Sequence, residues 1–406
     1  MTRILSLLFC LLLLASNTLH AQFIIQNSGT QQSLEDVRFY DSQLGIIVGD
    51  SGTVLRSIDG GNIWTTVPTG INSKLSRVRF FDSQNALVIG NEPAVILRSA
   101  DGGQTWTTIT DSSNQYYDLV ILDDSIALLS THEALLRTRD LGQTWQVHYD
   151  GPATDRLGLM SFIDAQRGFS IRGWAGFSPA FSIQKTTDGG GSWTEIPMLS
   201  GQNPTILEAL IYLNDSTGFA AGWYNPHLVK TKNAGADWSF SSVEDPQNGG
   251  QIIDMTMLND TLGFASGWYN SIFKTIDGGA NWFMLDQPFS TSIQYQGLYF
   301  LNDQLGWVVG TQGAILKTNT GGGSVSVSDD LEKISFSVFP NPNFGSFQLQ
   351  LKSNVKLRSL QLFDIEGRLV ERFSFVPEII TLKNSGLYML VLDTEQGMLT
   401  QKVWVH

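Results

Sequence analysis

Apolar residues in this chain come in short runs, broken at regular intervals by Asp, Asn and Gly, which is the pattern of strands and tight turns. One phrase reads Val37-Arg38-Phe39-Tyr40-Asp41 and leads to Gly45-Ile46-Ile47-Val48-Gly49. It returns as Leu210 to Asn214 with Gly218 to Gly222, and as Leu298 to Asn302 with Gly306 to Gly310. A second phrase, Ser/Thr-x-Asp-x-Gly-x-x-Trp, first reads Ser57-Ile58-Asp59-Gly60-Gly61-Asn62-Ile63-Trp64. Together they predict a repeating unit: a strand, a turn at Asp/Asn-x-x-x-Gly, a second strand, a hairpin, a third strand, an Asp turn and a fourth strand.

The second phrase returns at Ser99 to Trp106, Thr138 to Trp145, Thr186 to Trp193, Thr231 to Trp238 and Thr275 to Trp282, with successive Trp residues 42, 39, 48, 45 and 44 positions apart. A period in the forties with four strands per repeat predicts an all-β propeller, one sheet per blade. A seventh copy, Thr318 to Ser324, lacks its Asp and never reaches a Trp. Residues Phe23 to Asn27 have the length and composition of the missing strand, so they are expected to complete the last blade, with Phe23 in the Trp's place. The prediction is a seven-bladed ring latched by its two ends, which leaves no long bare sheet edge.

Each residue of the Asp turn has a mechanical task. The short carboxylate accepts backbone N–H groups of its own turn; Gly supplies positive φ; Trp packs between sheets. Asp59, Asp101, Asp140, Asp188 and Asp277, with Trp64, Trp106, Trp145, Trp193, Trp238 and Trp282, are therefore expected to be structural and to face outward. Asn233 and Thr320 stand in for Asp in two copies. The repeat resembles the Asp-box (BNR) family.

Residues 1–21 are predicted to be a secretory signal peptide: Arg3, the apolar run Ile4 to Ala15, then Ala21. The run is too short for a membrane span, so no transmembrane segment is expected. The single cysteine, Cys10, lies inside it, so the mature chain has no thiol. The repeats fill 22–322, a Gly/Ser/Asp-rich linker covers 323–334, and short strands over 335–406 predict a small C-terminal β-sandwich. This last stretch resembles the C-terminal sorting domain of the type IX (Por) secretion system of Bacteroidetes. It carries Phe339-Pro340-Asn341-Pro342, Gly345, Leu362-Phe363-Asp364 with Gly367, Ser385-Gly386-Leu387-Tyr388 and Lys402-Val403-Trp404-Val405. The Trp and the final His406 depart from the family's Lys-plus-aliphatic ending. The resemblance implies the type IX machinery as a partner, and a product secreted or anchored at the outer cell surface.

A net charge of −13 with no basic tract argues against nucleic acid as a partner. The five His residues show no ligand spacing, so neither a metal nor a cofactor is expected. Two clusters are candidate ligand sites on the face opposite the Asp turns. Aligning the first strands of the repeats brings Asp36, Arg38, Arg77, Arg79 and Asp118 near the axis. They read either as ion pairs between neighbouring blades, such as Asp36 with Arg77, or as a binding site. Trp174, Trp223-Tyr224 and Trp268-Tyr269 end the second strands of three consecutive repeats; they read as inter-blade wedges or as an aromatic platform for sugars or a peptide.

Phe39 to Trp64 and Phe80 to Trp106 carry the Phe-x-Asp…Gly-x-x-x-Gly…Leu-x-Ser/Thr-x-Asp-Gly-Gly-x-x-Trp wording of the photosystem II assembly/stability factor-like propellers, which this chain resembles. That resemblance implies a non-enzymatic binding protein. Sialidases need a Phe-Arg-Ile-Pro stretch, which is missing here; xyloglucanase-type hydrolases work between two propellers. No catalytic residue is singled out. The expectation is a secreted or surface binding module for an unidentified protein or glycan, the alternative a secreted glycoside hydrolase on the same ring.

Overall fold

The computed structural model describes residues 23–109, 115–151, 157–172, 182–196, 206–223, 228–243, 251–289, 292–322, 336–339, 345–351, 357–364, 368–373, 375, 377, 379–394 and 397–405. Residues 1–22, with the expected signal peptide, and 323–334, with the expected linker, lie outside that set. The chain divides into two compact units, Met1–Val325 and Ser326–His406.

Among the described residues of the first unit there are seven sheets, six of four antiparallel strands and one of five whose added edge strand is parallel, and one short 3-10 turn at Thr311–Gly313. In chain order their first strands are Leu34–Phe39, Lys74–Phe80, Tyr116–Ile121, Leu157–Phe162, Ile206–Tyr212, Ile252–Met257 and Tyr295–Phe300. Each packs against the first strand of the next sheet, and the seventh returns to the first. Seven separate apolar clusters fill the seams between consecutive sheets. That between sheets 1 and 2 joins Ile46, Val48 and Val54 to Leu75, Val78 and Val88, whereas Phe39, Leu55 and Trp64 meet Trp307, Val309 and Ile315 where sheet 7 closes on sheet 1.

The last sheet is completed from the other end of the chain. Ile24–Gln26 pairs antiparallel with Ala314–Thr318, in the register Ile24 to Lys317 and Gln26 to Ile315. Phe23, 2% exposed, lies against Gly322 as Trp64 lies against Gly61, which is the substitution expected from the sequence.

The two repeated phrases act through local chemistry. Asp41 Oδ1 accepts the N–H groups of Gln43 and Leu44 at 2.7 and 2.8 Å, closing the turn between strands one and two, and Asp82, Asp123, Asp164, Asn214, Asn259 and Asn302 do the same in their sheets. Gly45 then passes under the Phe39 ring so closely that any Cβ would overlap it. In the Asp turns Asp59 Oδ1 accepts from Ser57 Oγ, Asn62 N and Ile63 N at 2.8–3.0 Å, while Gly60 and Gly61 hold φ of +72° and +77°.

Asp188 shows the energetics of such a turn. Burial opposes its charge, but the Ser192 hydroxyl and N–H and the Thr186 hydroxyl outweigh that and hold its pKa at about 2. A depressed native pKa contributes stability above the ordinary 3.8 that is lost as pH falls through about 2. We expect Asp188→Ala to cost about 1–2 kcal/mol at pH 7, as net hydrogen bonds do, and almost nothing at pH 2. Urea denaturation at both pH values checks this.

In the second unit, two sheets have the strand orders Phe336–Phe339, Ser346–Leu351, Ile380–Thr381 and Leu369–Phe373, Leu357–Asp364, Gly386–Thr394, Gly397–Val405. Val338, Phe347, Leu360, Leu390 and Val403 share one buried core.

Candidate functional site

The alternation of each first strand is broken by a register shift near its start, between Leu34 and Asp36, Leu75 and Arg77, Tyr116 and Asp118, and at matching places in the other four sheets. A bulge re-aims side chains, and here it turns Asp36 toward the neighbouring sheet. Asp36 Oδ1 accepts its own strand's Val37 N–H at 2.9 Å, whereas Oδ2 accepts Val78 N–H of sheet 2 at 3.0 Å. Asp118 spans sheets 3 and 4 through Met160 N–H, and Asp254 spans sheets 6 and 7 through Leu298 N–H. These three carboxylates stitch inner strands together.

Around them gather the arginines. Arg79 Nη1 lies 2.6 Å from Asp36 Oδ2, Arg38 Nη1 3.0 Å from Asp36 Oδ1, and Arg77 Nε 3.7 Å from Asp118 Oδ1. The structure therefore pairs Asp36 with Arg79 and Arg38, and gives Arg77 to Asp118, where the sequence alignment had offered Asp36 with Arg77. Two residues along a strand return a side chain to the same face, which is how Arg79 comes within reach. Asp36 and Asp118 are 2% and 7% exposed, but Arg38, Arg77 and Arg79 keep 20–28%. The arginine side chains are thus the more exposed part of the cluster.

The electrostatics follow from that packing. Burial opposes the charge of Asp36, yet Arg38, Arg79, Arg77 and the Val78 N–H together bring its pKa below the ordinary 3.8. Burial also works against Arg77, and Asp118, Asp36, Asp254 and Glu208 outweigh it, so its charge is reinforced. Asp254 and Glu208 shift the other way: burial raises both pKa values, and Asp36 adds to the effect at Asp254. Glu208 went unnoticed in the sequence because its neighbour Ala209 aligns with Asp36.

The aromatic cluster is only partly described. Trp174 and Tyr224 lie outside the described residues, and Trp223 ends the strand Gly218–Trp223. Trp268 is half-buried and meets Tyr269 edge-on at 6.4 Å between ring centroids. Tyr269, 48% exposed, holds a φ of +55° in the hairpin after strand Gly263–Gly267. Asn270 is spent on the Ile293 N–H, so it is a clamp between loops.

Sequence reasoning missed a further fastening. A basic residue precedes the Ser/Thr of all seven repeats: Arg56, Arg98, Arg137, Lys185, Lys230, Lys274 and Lys317. Arg56 donates to Gly102 O, Arg98 to Leu141 O, Lys230 to Gly278 O and Lys274 to Gly321 O, each reaching the turn after the third strand of the next sheet. Lys317 of sheet 7 reaches Asn62 of sheet 1. Among the described residues no group of three or more His, Cys, Asp or Glu side chains gathers to hold a metal, and no helix is long and apolar enough to cross a membrane.

Residues 15–168 match the model of the Photosynthesis system II assembly factor YCF48 family, and residues 337–406 that of the Secretion system C-terminal sorting domain. Among solved structures, YCF48 from Cyanidioschyzon merolae superposes with a TM-score of 0.61 at 22% identity, covering 74% of this chain and 99% of that one. A YCF48 bound to D1 peptide gives 0.60 at 17% identity, with coverage of 73% and 97%. PorZ, a surface component of the type-IX secretion system of Porphyromonas gingivalis, gives 0.54 at 12% identity, covering 91% of this chain and 59% of that one. No curated protein matches the chain. The sorting tail is that of type IX secretion, which puts the product outside the cell or at its surface. The chain thus joins a YCF48-like propeller fold, with the family match over residues 15–168, to a secretion-system C-terminal sorting domain matched over residues 337–406.

Proposed function

We propose that the seven sheets are the blades of a closed Asp-box propeller and that the C-terminal sheets form a sandwich. On this reading the sandwich directs a type IX export product that is released or anchored at the outer cell surface. The propeller acts without catalysis as a binding module for a segment of another protein or a glycan. One observation carries this reading: Asp36 and Asp118 are consumed by backbone and arginine partners, so a ligand at the inner strands meets Arg38, Arg77 and Arg79. Guanidinium groups partly out of water favour carboxylates and planar acceptors. The D1 peptide held by one YCF48 structure supports a peptide as the ligand class. Tyr269 and Trp268 would extend that surface.

The test is a glycan array and an acidic-peptide array probed with the full chain. Arg77→Lys keeps a positive charge beside Asp118, Asp36, Asp254 and Glu208 but loses the planar fork, so it is expected to weaken the bound class at least tenfold while lowering the melting temperature less than Arg77→Ala does. Unchanged binding in Arg77→Lys overturns the assignment. A second reading, a glycoside hydrolase, draws on the raised pKa values of Asp254 and Glu208, since an acid catalyst must stay protonated. Turnover of xyloglucan or a sialylated oligosaccharide that Glu208→Gln or Asp254→Asn abolishes would favour it.

A further inference from the structure

Sheet 6 is the five-stranded one. Its fifth strand, Ser242–Val243, comes from the tail of sheet 5 and pairs in parallel with the outer strand Asn281–Met284. Ser242 N–H donates to Ala280 O at 2.9 Å, and Ser241 Oγ to Gly279 O at 2.6 Å. The chain leaves sheet 1 along the same path, for Val67 N–H donates to Val54 O just as Ser241 N–H donates to Leu228 O. At the next position stands Pro68, which has no N–H to give. Gln104, the counterpart of Ala280, therefore receives no such bond from the sheet 1 tail, and a groove of about 650 Å³ opens there between sheets 1 and 2.

The first Asp turn differs from the others where it borders this groove. The residue before the Trp is Thr105, Thr144, Ser192 and Asn281 in copies two, three, four and six, and each donates to the second oxygen of its turn's Asp at 2.6–2.7 Å. In copy five Asp237 takes the Asn233 amide in the same place. Copy one has Ile63, which cannot donate. Asp59 Oδ2 is left without the side-chain donor the others have, and Ile63 and Ile58 stand 67% and 65% exposed on the groove wall. Two large apolar side chains in water beside an under-used carboxylate oxygen are costly for a turn alone and useful for an interface.

We propose that this groove takes an extended segment of a partner polypeptide, added in parallel along Gln104 to Trp106, the run that leads into the outer strand Thr107–Ile109 of sheet 2. An apolar side chain of that segment lies between Ile58 and Ile63, and a Lys or Arg meets Asp59. Sheet 6 shows the pairing already made within the chain, and strand addition supplies main-chain hydrogen bonds while alternate side chains give selectivity. The groove is separate from the arginine cluster, so either site stands if the other fails.

The test pans a phage-displayed library of random nine-residue peptides against the full chain. Enriched peptides are expected to alternate apolar residues beside a Lys or Arg. Their synthetic forms should lose at least fivefold in affinity for Ile63→Thr, and for Pro68→Ser, which lets the sheet 1 tail fill its own groove. Ile63→Thr restores the hydroxyl cap of the other copies, so its melting temperature should equal or exceed the parent's, which separates lost docking from lost folding. A library that enriches nothing, or a loss below fivefold in Ile63→Thr, overturns the proposal.

Discussion

Removing residues 22–28 is expected to lower the melting temperature by about 10 °C or more and to make the protein aggregate on heating. The deletion takes away the outer strand of sheet 7 and exposes the edge of Ala314–Thr318, a row of unpaired N–H and C=O groups. It also empties the seam where Phe23 packs among Phe264, Leu285, Tyr295 and Leu316. Phe23→Ala isolates that second contribution: truncating a buried Phe costs about 3–5 kcal/mol, and each kcal/mol shifts the midpoint of a unit this large by about 2 °C. The point variant should therefore melt about 6–10 °C low and the deletion lower still. A deletion variant that melts like the parent would mean the ring is held by its seams alone. Differential scanning calorimetry on the parent, the point variant and the deletion orders the three.

The strand plan was legible in the sequence because turns are written in few residue types. Asp41 and its counterparts, Gly45 under Phe39, and the Asp turns are local devices, each completed within about eight residues. The N-terminal strand was legible for another reason: Thr318 to Ser324 breaks the repeat, and only Phe23 to Asn27 could mend it. The ion-pair partners were not. Which of Arg77 and Arg79 meets Asp36 depends on the bulge at Glu35, a backbone shift that an alternating pattern does not record. Glu208 escaped for the same reason, since it sits at the bulge of its own strand. The basic residue before each Ser/Thr was in plain view, but four of the seven donate to main-chain oxygens of the next sheet, at Gly102, Leu141, Gly278 and Gly321. What a single repeat does for itself is readable; what it does for its neighbour requires the ring.

Asp36→Asn should be the most damaging single substitution on the inner strands, at about 3–5 kcal/mol, the range for breaking a buried charge pair from one side. The amide keeps the shape of the side chain, but its NH₂ group faces either Val78 N–H and Arg79 or Val37 N–H and Arg38, and in either orientation a donor meets a donor. Asp59→Asn is the control: that carboxyl lies in an Asp turn near the surface, and copy five shows Asn233 doing the same work, so about 1 kcal/mol or less is expected. The pH dependence separates the two kinds of buried acid. Asp36 has a native pKa below 3.8, so its contribution is complete above that pH and is lost as pH falls through the native value. Asp254 has a native pKa above 3.8, so the stability it contributes as a protonated acid is present below 3.8 and disappears as pH rises through the native value. Denaturation midpoints measured from pH 3 to pH 8 should therefore lose part of their acid limb in Asp36→Asn, whereas Asp254→Asn should hold its stability better than the parent as pH rises above 4. If both variants shift the curve by a constant at every pH, the inner carboxylates are passive spacers and the electrostatic account of the ring's centre fails.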